Sequence, residues 1–184
     1  MQHLQPNTTL QGGKYKIERV LGQGGFGITY LAKYTSNGRK VAIKELFING
    51  VNDRDHNEVT VSNRMNDDFF DKQKEKFQKE AKRLKSLKNE HIVRVYDVFE
   101  GNGTVYYAMD LIKGESLADK MKREGRPLTE DEALHIFPQI LDALLEIHKY
   151  KIWHLDIKPG NIMLDTKQNI VLIDFGESKQ ITPS

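Results

Sequence analysis

The sequence predicts an α+β protein in which strands dominate the first part of the chain and helices the later part. Three observations support this fold class. Before residue 46, three segments have strand composition and are separated by glycine-containing turns. Two later segments, 69–88 and 129–149, repeat apolar residues with helical spacing. Finally, apolar runs at 162–164 and 170–173 flank a turn-forming segment and predict a hairpin.

Composition limits the class of protein. The 184 residues are 38% hydrophobic and 29% charged, as in an ordinary globular protein. A formal net charge of +2 is too close to balance to indicate nucleic-acid binding, and the absence of cysteine excludes disulfides and thiolate metal sites. The N-terminus lacks the apolar core of a signal peptide, and no run is long enough to cross a bilayer, so we expect a cytoplasmic protein or the cytoplasmic part of one.

The N-terminal segment, residues 1–13, is polar and ends in a glycine pair, so we expect a flexible arm. Strands are predicted at 14–21 and 28–34. The turn between them consists of Gly22, Gln23, Gly24, Gly25, Phe26 and Gly27. Its glycines allow backbone N–H groups to approach phosphate oxygens. The same pattern fits a dinucleotide-binding turn, but that fold requires a helix directly after the glycines, and strand-like residues follow here.

The third predicted strand, 40–45, carries Lys44, which we expect beneath the glycine-rich turn, within reach of phosphate oxygens. Lysines in strands are more often solvated edge residues, so this interpretation depends on an acidic partner. In the helix predicted at 69–88, Glu80 lies on the apolar face, and a carboxylate turned towards a core is costly unless it is paired. Glu80 is therefore the natural partner of Lys44.

After the third strand, turn residues and helix-capping residues indicate where the later elements begin and end. Residues 46–68 are rich in Asn and Asp, and we interpret them as an insertion, with a solvated loop expected and a regulatory contact the less favoured alternative. Residues 91–100 and 104–111 predict a hairpin, and helices are predicted at 116–124 and 129–149. The second helix begins with a capping box, Thr129 with Glu132.

The C-terminal region strings polar residues between short apolar runs. Residues 154–161 read HLDIKPGN and residues 174–176 read DFG. They contain three polar residues, Asp156, Asn161 and Asp174, and carboxylates held on such loops can bind Mg²⁺, a hard cation that prefers oxygen ligands, while a substrate hydroxyl is positioned nearby. We interpret His154 as a packed core residue, because no second histidine stands at metal-ligand spacing.

Four motifs, in the order found here, resemble the signature motifs of protein kinases: the glycine-rich hairpin, VAIK at 41–44, HLDIKPGN and DFG. The resemblance implies a two-lobed kinase fold. Its N-terminal lobe would span residues 14–110, with a five-stranded antiparallel sheet and the αC helix, and a partial, mainly helical C-terminal lobe would span residues 111–184. It also implies ATP and Mg²⁺ as cofactors, and a protein substrate with a Ser/Thr acceptor, since Lys158-Pro159 resembles Ser/Thr-specific members.

The resemblance assigns roles to individual residues. Asp156 would accept the proton of the substrate hydroxyl, Lys158 would neutralise the γ-phosphate, and Lys44 would hold phosphates in an ion pair with Glu80. Mg²⁺ would be held by Asn161 and Asp174. Beyond the glycine-rich turn, nucleotide contacts are expected from Leu21, Thr29, Ala42, Met109, Asp110, Ile112, Met163 and Ile173.

Two departures from the family pattern qualify these expectations. Leu155 stands where the family usually has arginine, so we expect control that does not use a phosphorylated activation loop. The chain ends at Ser184 without an APE motif, so we expect a truncated kinase in which helix 129–149 has an uncovered apolar face. Such a face predicts marginal stability, self-association or a compensating contact. The alternative function is an ATP-binding but catalytically impaired fragment or scaffold.

Overall fold

The structure is a computed structural model that describes residues 2–151 and 157–173. It divides into two compact units. The first comprises Met1–Lys85 with Val95–Leu111, and the second comprises Ser86–Arg94 with Ile112–Ser184.

An antiparallel sheet of six strands, in the order β1-β2-β3-β4-β8-β7, forms the centre of the first unit. The strands of this unit are β1 (Thr9–Leu10), β2 (Tyr15–Gln23), β3 (Gly27–Tyr34), β4 (Lys40–Leu46), β5 (Asn52–Asp55), β6 (Glu58–Val61), β7 (Val95–Gly101) and β8 (Thr104–Asp110). The ring of Tyr15 on β2 stacks on Phe99 of β7, with 5.6 Å between centroids. Because β2 and β7 lie near opposite ends of the strand order, this contact requires the sheet to curl.

The predicted flexible arm is wrong for residues 2–13. Leu4 and Leu10 are only 1% and 4% exposed, and the backbone N–H of Leu4 donates to the hydroxyl of Tyr30 at 3.0 Å. Strand β1 pairs with β2, so the sheet has six strands where five were expected. The physical reason is that two leucines in a polar segment gain enough from burial to fix it.

The solvated loop expected at 46–68 is also wrong, because this segment folds onto the sheet. Strands β5 and β6 form an antiparallel hairpin. Phe47, Ile48 and Val59 are at most 5% exposed, and the N–H of Val59 donates to the carbonyl of Asn102 at 2.8 Å. The polar residues around these three apolar side chains obscured them in the sequence.

Helix α1 (Asp67–Ser86) agrees with the helix predicted at 69–88. Its buried face includes Phe70, Phe77, Ala81 and Leu84, as the apolar spacing predicts. The ring of Phe77 lies 5.1 Å from that of Tyr107 on β8, so the helix packs against the sheet.

The second unit contains α2 (Leu117–Glu124), α3 (Glu130–Lys149) and the strands β9 (Gly114–Ser116), β10 (Ile162–Asp165) and β11 (Ile170–Leu172). The strands form one sheet in the order β11-β10-β9. The capping box at Thr129 is confirmed. Strand β9 was not predicted; it depends on Gly114, where any Cβ would overlap the carbonyl oxygen of Leu164.

The predicted boundaries of 14–110 and 111–184 differ from the two units mainly at residues 86–94. The N–H of Leu172 donates to the carbonyl of His91 at 2.9 Å. The N–H of Val93 donates to the carbonyl of Leu172, also at 2.9 Å. These bonds tie residues 91–93 to β11, so the strand predicted from residue 91 begins only at Val95.

Helix α3 exposes the apolar side chains of Leu134, Phe137, Leu141 and Leu145, each more than half exposed. The self-association expected from this face stays a prediction. Among the residues that the structure describes, no helix is long and apolar enough to span a membrane.

An ion-pair cluster joins the two helices of the second unit. The carboxylate of Glu132, in the first turn of α3, lies 2.9 Å from Lys120 Nζ and 2.7 Å from Arg126 Nη1, and it accepts the N–H of Thr129 at 3.2 Å. Lys120, Arg126 and then the Thr129 backbone lower the pKa of Glu132 from 4.5 to about 2.

We predict that the stability contributed by Glu132 is present above pH 4.5 and is lost as the pH falls towards 2. This sign follows because the folded state holds the carboxyl ionised over that range while the unfolded state protonates it. The Glu132→Gln variant should therefore melt below the unmodified chain at pH 6, and this difference should shrink by pH 2.5.

Melting temperatures measured from pH 2.5 to 6 test this prediction. Glu130→Gln is the matched control, because it removes one charge from the same helical turn and leaves the Glu132 contacts in place. A difference for Glu132→Gln that does not change with pH would contradict the assignment.

Candidate active site

Lys44 lies in the interior of the sheet. It is 5% exposed, and in register it stands opposite Thr29 of β3 and Tyr107 of β8. Directly opposed residues of an antiparallel pair share one face of the sheet. Lys44 is therefore not a solvated edge lysine, and its face also carries Ala42, which stands opposite Met109.

The glycine-rich turn closes onto the strand that carries Lys44. The N–H of Gly24 donates to the carbonyl of Gly27 at 2.9 Å, which tightens the turn. A Cβ at Gly27 would lie 2.9 Å from the carbonyl oxygen of Glu45 and 3.2 Å from Cε of Lys44. The structure thus brings the turn and the lysine side chain together, and only glycine permits this approach without displacing β4.

Glu80 lies on α1 with a half-buried side chain. It follows Phe77 by three residues and so shares its face of the helix. Phe77 contacts Tyr107, which stands opposite Lys44 in the sheet. This placement supports the ion pair of Lys44 with Glu80, which stays a prediction.

The remaining candidates of the first unit differ in exposure. Leu21 is 40% exposed, whereas Ala42 and Met109 are 4% and 6% exposed. The carboxylate of Asp110 accepts hydrogen bonds from Tyr96 and Arg39, so only its backbone is a candidate for a nucleotide contact. Five further candidates lie in or beside the turn: Gly22, Gln23, Gly25, Phe26 and Thr29. Ile112 belongs to the second unit.

The second unit holds Asn161, which is 8% exposed, at the end of the short 3₁₀ turn Pro159–Asn161. Its N–H donates to the carbonyl of Lys158 at 2.9 Å, and its carbonyl accepts the N–H of Ile173 at 3.1 Å. Ile173 directly precedes Asp174 in the sequence. Asn161 therefore lies beside the strand end from which Asp174 follows, and amide and carboxylate oxygens together suit Mg²⁺.

Several predicted residues fall outside the described part of the chain. They are Asp156, expected to accept the substrate proton, Asp174, expected to bind metal, and His154 and Leu155 of the catalytic motif. Lys158 is described and exposed, and Met163 is partly buried on β10.

Glu45, the residue after Lys44, is the member of this region that the sequence analysis missed. Its side chain is fully buried and accepts hydrogen bonds from the hydroxyls of Tyr30, at 2.9 Å, and Tyr106, at 2.5 Å. The only signal in the sequence was a charged residue inside a strand whose other side chains are mostly apolar.

We predict that Gly27→Ala lowers the free energy of unfolding by about 1–3 kcal/mol, because the new methyl group meets the backbone of β4. Gly25→Ala is the matched control, since a Cβ there meets nothing within 4 Å, and its effect should stay within about 0.5 kcal/mol. Urea unfolding of both variants measures the difference. Equal tolerance of the two substitutions would contradict the close approach at Gly27.

Comparison with known proteins agrees with this geometry. The family model described as the protein kinase domain matches residues 15–184. The chain is 37% identical over 164 residues to an SNF1-related protein kinase catalytic subunit alpha KIN12 of Arabidopsis thaliana, covering 89% of this chain and 30% of that protein. It is 33% identical over 177 residues to the serine/threonine-protein kinase PknA of Corynebacterium glutamicum, covering 92% of this chain and 34% of that protein.

A solved structure titled "PpkA-294 apo form" is similar with a TM-score of 0.87 at 25% identity, over 97% of this chain and 63% of that one. The chain spans about a third of the length of the two curated relatives, so the match concerns one region of longer proteins. The family match nevertheless covers nearly the whole chain, together with the curled sheet, the helix packed on it and the glycine-rich turn. The chain belongs to the protein kinase family.

Proposed function

We propose that this chain is the nucleotide-binding part of a serine/threonine protein kinase, which transfers the γ-phosphate of ATP to a Ser or Thr hydroxyl of a protein substrate. One observation carries the proposal: Lys44 is buried within the sheet, with its Cε 3.2 Å from the Cβ position of Gly27 in the glycine-rich turn. An ammonium group beside a turn of glycines is an arrangement suited to phosphate. The names of relatives such as PknA support the serine/threonine specificity.

The residues present fit a nucleotide and its metal. At Gly22 and Gly25, a Cβ would meet nothing within 4 Å, so there is open space beside both glycines. Ala42 and Met109 supply an apolar surface on the face of the sheet that carries Lys44. Asn161 offers a nearly buried amide beside the segment that leads to Asp174. This donor set suits Mg²⁺, which prefers oxygen ligands and keeps contact with substrate phosphates.

The chemistry assigned to the chain is mainly positioning and charge neutralisation. Mg-ATP supplies the phosphoryl group when it is bound. Lys44 holds phosphate oxygens, and Glu80 orients Lys44. Asp156 orients the substrate hydroxyl and accepts its proton, while Lys158 balances negative charge on the transferred group. Asn161 and Asp174 hold the metal.

We predict that the chain, given Mg-ATP, transfers labelled phosphate to a generic protein substrate or to itself, and that Asp156→Asn lowers this rate by about 100-fold or more. The reason is that an amide cannot accept the proton of the hydroxyl, and general-base catalysis contributes about that factor. Transfer of labelled γ-phosphate, followed with both proteins at equal concentration, measures the effect.

Asp165→Asn is the matched control for this experiment. Asp165 lies at the turn of the β10–β11 hairpin, where an amide oxygen can still accept the N–H groups of Lys167 and Asn169. Its rate should stay close to that of the unmodified chain. Transfer that survives Asp156→Asn would contradict the proposed role of Asp156.

We also predict that Asn161→Ala raises the Mg²⁺ concentration needed for half-maximal transfer, because it removes one oxygen ligand. Asn169→Ala, in the same hairpin but at its far end, should leave the Mg²⁺ requirement unchanged. Rates measured across a Mg²⁺ titration at saturating ATP separate the two outcomes. An unchanged requirement in Asn161→Ala would overturn its assignment as a metal ligand.

A further inference from the structure

The face of the sheet opposite Lys44 contains a buried charge cluster. Glu45 is fully buried and stands opposite Tyr106 in register. Its carboxylate accepts hydrogen bonds from the hydroxyls of Tyr30 and Tyr106 and from the guanidinium of Arg54. The side chain of Arg54 is only 2% exposed. Burial raises the pKa of Glu45, while Arg54 and the hydroxyls of Tyr106 and Tyr30 oppose that rise. A buried carboxylate held in this way depends on all of its donors.

Arg54 connects three separate parts of the first unit. Its Nη2 reaches Glu45 on β4, its Nε donates to the carbonyl of Gln2 at 2.9 Å, and its Nη1 donates to the carbonyl of Asn57 at 3.0 Å. Its guanidinium also lies over the ring of Phe47, 5.2 Å from the centroid. One side chain thus fixes the N-terminal segment and the β5–β6 hairpin to the central strand that also carries Lys44.

The N-terminal segment and the connection from β4 to the β5–β6 hairpin both contact the glycine-rich turn. The side-chain oxygen of Gln2 accepts a hydrogen bond from Nε2 of Gln23 at 2.7 Å. Nε2 of Gln2 donates a hydrogen bond to Oδ1 of Asn49 at 3.4 Å. The backbone N–H of Asn49 donates to the carbonyl of Gly25 at 2.9 Å. Both limbs of the turn are therefore bonded to segments next to residues that Arg54 holds, Gln2 directly and Asn49 through the chain that leads into the hairpin.

The segment around Asn49 is itself rigidly held. Asn52 is 3% exposed, and its Oδ1 accepts the N–H of Ile48 at 2.8 Å while its Nδ2 donates to the carbonyl of Thr60 at 3.3 Å. These bonds tie the chain that flanks Asn49 to the β5–β6 hairpin.

We propose that Arg54 is a positioning residue for phosphate binding: through Gln2 and Asn49 it holds the glycine-rich turn in the conformation that receives the phosphates. The proposal rests on the proposed function, since the turn has this role only if a nucleotide binds. Glycine loses more conformational freedom on ordering than any other residue. A turn ordered beforehand therefore binds phosphate more tightly than a mobile one, because less freedom is lost on binding.

Backbone hydrogen exchange of the nucleotide-free chain tests the structural half of the proposal. Arg54→Lys keeps a positive charge beside Glu45 but lacks the planar fork that reaches Gln2 and Asn57. We expect the amides of Gly24 and Asn49 to exchange about tenfold faster in this variant, with the amides of the central strands unchanged. Unchanged exchange at Gly24 and Asn49 would overturn the proposal.

Two further variants keep this test decisive. Gln2→Ala removes only an exposed side chain and should accelerate the same amides, so it decides the matter if Arg54→Lys fails to fold. His56→Asn is the matched control, because His56 lies at the exposed tip of the hairpin with φ of 54°, a conformation that asparagine tolerates. It should leave the exchange of the turn unchanged.

Calorimetric titration with Mg-ATP and with adenosine tests the functional half. Adenosine has no phosphates and does not use the turn, so Arg54→Lys and Gln2→Ala should raise the Kd for Mg-ATP about fivefold or more while changing that for adenosine little. Equal losses for both ligands would show general damage to the fold and overturn the positioning role, as would an unchanged Kd for Mg-ATP.

The two proposals fail in different ways. If the unmodified chain binds no Mg-ATP, the proposed function fails and the positioning role fails with it, whatever the exchange data show. If the unmodified chain binds Mg-ATP and the variants bind it equally well, only the positioning role fails.

Discussion

Strand β4 places two charged side chains in succession, Lys44 and Glu45, inside a sheet where both are almost completely buried. Because side chains alternate along a strand, the two charges point to opposite faces. Buried charges require partners, so each face of the sheet must be covered by an element that brings polar groups as well as apolar ones. The layers of the first unit follow from this requirement.

On the Glu45 face, the requirement is met by the N-terminal segment and the hairpin that follows β4. They bring the guanidinium of Arg54 to the carboxylate, and they also bury Leu4 and Phe47. On the Lys44 face, α1 packs through Phe77 against Tyr107. The N-terminal segment and the insertion are therefore structural layers of the sheet, although their composition is that of surface loops.

The sequence predicted the elements whose own residues show a strand, helix or turn pattern. The glycine-rich turn, the strand with Lys44, the helix with Glu80 and the β10–β11 hairpin all follow from periodicity and turn residues read over short windows. The contacts of Leu4 and Arg54 could not be predicted in this way. Each depends on chain distant from its own segment, such as the hydroxyl of Tyr30 or the carbonyl of Gln2, and no local pattern records which partner a side chain will find.

The same limit applied in the second unit. The sequence predicts residues 91–93 as the start of the first strand of the hairpin 91–100 and 104–111, whereas their hydrogen bonds with Leu172 place them beside β11. Strand β9 is three residues long, too short for a periodic signal, and its close approach to β10 at Gly114 is a contact with a distant part of the chain.

The position of Asn161 shows how a distant turn can set the geometry of a site. Ile162 pairs with Leu172, so Asn161 and Ile173, one residue beyond each strand, are brought face to face. The register of this hairpin is fixed at its other end, where the carboxylate of Asp165 accepts the N–H groups of Lys167 and Asn169. A slip of one residue would turn every side chain of a strand to the other face. The number of residues between Asn161 and Asp174 is thus set by the hairpin. Its length and register bring Ile173, the residue before Asp174, back beside Asn161.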